Sequence, residues 1–107
     1  MRQRQVAIAG VYATRQAWSI PDKTDFDITL EAVLGALDDA GLTPADVDGA
    51  GLEWSLPGAQ HGDGQHWAKL LGGPLRYVAE GLQDTAGVRG VSKAAAAVAA
   101  EIGRAHV

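Results

Sequence analysis

The chain has 107 residues, a net charge of −4 and no cysteine, and its pI is near 5.1. That length suits one small domain able to bury roughly 60% of its unfolded surface. The nine Lys and Arg residues are scattered, which argues against a nucleic-acid or anionic-membrane footprint; the lack of cysteine excludes disulfides and thiolate metal sites, and no apolar run approaches the roughly 18 residues of a membrane span.

The N-terminus, Met1-Arg-Gln-Arg-Gln5, is basic, but only a short strand-like run follows it. A signal peptide needs a longer apolar region and a cleavage site, so the expectation is a cytoplasmic protein. Val6–Gly10 is a continuous apolar run, the pattern of a strand buried on both faces. A loop over Tyr12–Thr24 includes a turn at Ser19-Ile-Pro-Asp22. Asp27 is the expected N-cap of a first helix running to about Ala40. Leu30, Val33, Leu34 and Leu37 fall on one face of it. Gly35 inside that helix costs about 1 kcal/mol relative to alanine, which a close packing contact would explain.

Gly41 supplies a left-handed helix stop, with Leu42 folding back on Leu37. Thr43-Pro-Ala-Asp46 has a cap residue, proline at N1 and an acid at N3. A second strand is predicted over Val47–Trp54, where Gly49 and Gly51 weaken the strand or admit another backbone. After a loop from Leu56 to Gly64, a short helix over Gln65–Leu71 stops at Gly72-Gly73-Pro74. A third strand over Leu75–Ala79, a loop over Glu80–Arg89 and a last helix from Gly90 toward Ile102 complete the chain. In that helix Val91, Ala95, Val98 and Ile102 share a face, and Ala94–Ala97, Ala99 and Ala100 leave it nearly bare. A helix with so little polar surface is expected to be buried on more than one side; the alternative is a strong helix former on the surface. The order β-α-β-α-β-α predicts an α/β fold, a mostly parallel sheet with helices on both faces and right-handed crossovers.

The chemistry-bearing residues form no strong constellation. His61, His66, Asp63 and Glu53 raise the question of a metal, but the spacing of the two histidines does not put both on one helical face, and two glycines lie between them. A solvated loop is the preferred reading, because zinc sites bring three or four convergent ligands. Trp54 and Trp67 are read as core or interface packing, and Trp18 as an oligomer contact. A dinucleotide site needs G-x-G-x-x-G after the first strand, whereas Gly10-Val-Tyr-Ala-Thr-Arg15 has one glycine. Thr85 and Ser92 are hydroxyls without an adjacent base in sequence.

Val6–Val11, Ala36–Leu42 and Asp46–Gly49, in that order and spacing, resemble the start of the thiolase-like family, in particular its lipid-transfer or sterol-carrier branch. Leu70–Pro74, Arg76–Val78 and the alanine-rich helix continue the likeness more weakly. The resemblance implies the N-terminal part of a thiolase-like half-domain over residues 1–100, a truncated fragment of a longer protein. In that family a nucleophilic cysteine opens the buried third helix, where the helix dipole lowers its pKa. The matching position falls near Gly87, which is no nucleophile, so the chain has no catalytic residue to assign and is expected to be inactive, with no bound cofactor. For the parent, the resemblance implies acyl-CoA as substrate, acyltransferase or carbon–carbon lyase chemistry in lipid or steroid metabolism, a homodimer and an OB-fold partner subunit. The alternative is a non-catalytic scaffold or lipid-transfer-type subunit that binds acyl-CoA or a partner protein.

The last seven residues, Glu101-Ile-Gly-Arg-Ala-His-Val107, resemble the translation of a common sequencing adapter. They are expected to be a non-native tail, with no function resting on Arg104 or His106; as a genuine ending, Gly103 would be the helix C-cap. In the family the first strand pairs with the second and a fourth. Lacking the fourth, Val6–Gly10 would leave an apolar sheet edge open, and the chain is expected to be marginal or molten.

Overall fold

A computed structural model describes residues 5–54, 63–82 and 86–107. Its elements are α1 (Asp25–Ala40), a 3-10 turn (Pro44–Asp46), β1 (Gly49–Trp54), α2 (Gly64–Leu71), β2 (Tyr77–Leu82) and α3 (Ala86–Ala99). β1 and β2 pair in parallel, Gly49 opposite Tyr77 through Trp54 opposite Leu82. A small α/β fold is therefore present, with a two-stranded parallel sheet among the described residues rather than three strands.

The N-cap of helix α1 lies three residues before the expected one. Thr24 is the N-cap and Asp27 is N3. The Thr24 hydroxyl accepts from the Asp27 N–H at 3.1 Å, and the Asp27 carboxylate accepts from the Thr24 N–H at 2.9 Å. Both residues are good caps, and this reciprocal pair settles which one opens the helix. The stop is as expected: Gly41 has φ of 72°, and the Leu42 N–H donates to the Leu37 carbonyl at 2.9 Å. Asp46 accepts from the Thr43 N–H at 2.8 Å to close the next turn. Asp63 caps α2 through the His66 N–H, and Gly72 ends it at φ of 86°.

The core forms where these stops turn the chain. Leu37, Val47, Ala50, Leu52, Trp67 and Leu71 make one buried cluster, with Phe26, Leu30, Val33, Leu42, Leu75 and Val107 packed against it. Alternation along β1 sends Ala50 and Leu52 into this cluster and leaves Gly49 and Gly51 on the opposite face. Helix α3 packs on β1 and β2, and its buried residue, Ala97, lies outside the cluster. The sheet is thus sandwiched, with α3 over the glycine face.

Three expectations are corrected. Val6–Gly10 is not a strand. It lies along α1, where Gly10 meets Ala36 and Ala40, the Tyr12 ring covers Gly35, and the Val11 N–H donates to Asp39 at 3.0 Å. The ring over Gly35 is the close contact that this glycine called for. The outer edge of β1 is taken instead by the C-terminal residues: Asp48 N–H donates to Ala105 O (2.9 Å), Val107 N–H to Gly49 O (3.0 Å) and Gly51 N–H to Val107 O (2.7 Å). Second, α3 begins at Ala86, so Gly90 is inside it; a Cβ at Gly90 would meet nothing within 4 Å, and the helix passes through without a packing penalty. Its end is set by Glu101 at φ of 65°, with Ile102 N–H returning to Ala97 O at 2.8 Å, so Gly103 is not the cap. Third, α3 is not covered on several sides: it packs on β1 and β2, while Val88 is 73% and Val91 53% exposed.

Candidate functional site

The first turn of α3 is where the resemblance puts a nucleophile. Gly87 lies in that turn, exposed, with open space around the position a Cβ would take. A helix start can present N–H groups to a ligand, but no side chain described in this turn is a nucleophile. Ser92 is exposed on the same helix, and Thr85 lies outside the described residues.

A cavity of about 590 Å³ runs between the N-terminal segment, α1, α3 and the C-terminal residues; Val6, Ile8, Val33, Leu37, Val91 and Val98 are among its apolar walls. Its volume falls in the range of ligand pockets, but such pockets also carry a few converging polar groups. Here Arg104 and His106 are the charged or titratable residues on its lining.

The best-organised polar cluster is at the base of β1. Asp48 accepts from the N–H groups of Arg104 (2.8 Å) and Ala105 (3.0 Å). Burial pushes its carboxyl up, yet these two donors, with the nearby His106 and Arg76, hold it below the ordinary range. Gly103 takes φ of 75°, and a Cβ there would come within 2.8 Å of the Asp48 carboxylate. The His106 ring stacks on Tyr77 at 5.0 Å, and its Nε2 is 2.9 Å from the Ile102 carbonyl. Its Nδ1 is buried with no hydrogen-bond partner among the described residues. Gly49 lies between the two residues across the sheet: it pairs with Tyr77 on one side and bridges His106 on the other. The cluster ties chain segments together; it holds no nucleophile and no set of converging acids.

The metal reading finds no support among the described residues, where no group of three His, Asp or Glu side chains converges. His66 stacks on Phe26 at 4.8 Å and Asp63 caps a helix; His61 and the Glu53 side chain lie outside the described residues. Trp67 is core, 1% exposed, against Phe26 at 5.4 Å, while the Trp54 side chain is outside the described set. Trp18 is fully exposed. Among the described residues no helix is long and apolar enough to cross a membrane. Sequence reasoning missed the Asp48–His106–Tyr77 arrangement, although the flag on Gly49 as a place of close approach was its trace.

No protein-family model and no curated protein matches the chain. A solved structure, the "Ltp2-ChsH2(DUF35) aldolase", is similar: 34% identity, a TM-score of 0.74, and coverage of 91% of this chain. The chain spans only 25% of the length of that one. It is therefore similar, in sequence and in fold, to about a quarter of a chain from an aldolase assembly.

Proposed function

We propose that these residues are the N-terminal part of a thiolase-like acyl-CoA protein of lipid or steroid metabolism, whose chemistry is carbon–carbon cleavage rather than acyl transfer, and that the 107-residue chain has no activity of its own. The observation that carries this reading is the 34% identity to an aldolase along nearly all of the chain; the lack of a nucleophilic side chain near Gly87, where the resemblance puts one, agrees with it. A retro-aldol step does not require a covalent acyl-enzyme, so a glycine there is compatible with a lyase and incompatible with thiolysis. The similar aldolase is named for two components, which supports a partner subunit for the intact protein, the OB-fold partner being the type the resemblance implies; acyl-CoA as substrate and a homodimer rest on the resemblance alone.

The test is a chimera in which residues 5–100 replace the matched quarter of the similar aldolase, with its partner present. The expected result is measurable cleavage of a β-hydroxyacyl-CoA by the chimera and none by the isolated chain. A folded, partner-bound chimera without cleavage would favour the scaffold reading, in which the chain binds acyl-CoA or a partner without chemistry. Thiolysis of acetoacetyl-CoA by the isolated chain would overturn both.

A further inference from the structure

We draw no further inference here: the strongest candidate, the apolar cavity between the N-terminal segment, α1 and α3, carries nothing because no feature of the described residues shows what covers it.

Discussion

Gly49 sits in the middle of a three-residue row across the sheet, with Tyr77 on one side and His106 on the other. Having no side chain, it lets the two outer rings meet above it, and a Cβ there would strike the His106 ring. Gly49→Ala should therefore destabilise the chain by about 1–3 kcal/mol, the usual cost of overpacking, although alanine is the better strand residue. Urea unfolding measures it, and a neutral or stabilised variant would show that the ring stack is absent in solution. Asp48 makes a prediction of the opposite kind. Its carboxyl is held below its unfolded value, so the charged form is favoured by folding. That contribution is complete above the unfolded carboxylate range, near pH 4, and is lost as pH falls through the lower folded value. Asp48→Asn should flatten the acid limb of the stability curve while leaving its slope above neutral pH unchanged. An unaltered acid limb would mean that the two N–H donors of residues 104 and 105 are not on the carboxylate.

Helix α1 shows how local stereochemistry carries an element. Thr24→Ala removes the side-chain acceptor for the Asp27 N–H and should cost about 1 kcal/mol, measured by thermal or urea unfolding. The Asp27 carboxylate is held low by the backbone N–H and hydroxyl of Thr24, so the loss should shrink as pH falls through the lowered folded value of that carboxyl, where the box is already weakened. What could be read from sequence follows the same division. The stop at Gly41, the turn at Thr43–Asp46, α2 and the parallel β1–β2 pair were legible because turn chemistry and side-chain period are written within a few residues of each site. The error over Val6–Gly10 is of another kind: an apolar run says that it will pair, not with what, and the C-terminal residues hold the edge of β1 instead. Likewise Gly90 looked like a helix start and proved internal, since nothing crowds it. The Asp48–His106–Tyr77 cluster joins residues more than fifty positions apart, beyond the reach of any local pattern, whereas the absence of a nucleophile at Gly87 was plain from the sequence.

At the scale of the whole molecule the core is small. The buried cluster is built from two helices, one strand and Val47 just before that strand, while Ile8 and Val11 on the N-terminal segment and Val88 and Val91 on α3 stay exposed. The cavity of about 590 Å³ between these segments leaves apolar walls wetted that a tightly packed domain would bury. Domains of this size have total stabilities of only about 5–15 kcal/mol, and full exposure of a Val or Ile forgoes about 1.5–3 kcal/mol of burial, so these four side chains, each more than half exposed, together forgo an appreciable share of the total. The chain should accordingly bind a hydrophobic dye such as ANS at neutral pH while its far-ultraviolet spectrum shows helix, the pairing of properties found in loosely packed states. Its urea transition should be broad, with an m value at or below the low end of the roughly 1–3 kcal/mol/M seen for small domains. A sharp transition without dye binding would mean that the apolar faces find a partner in solution, and sedimentation would then identify it as a second copy or refute that.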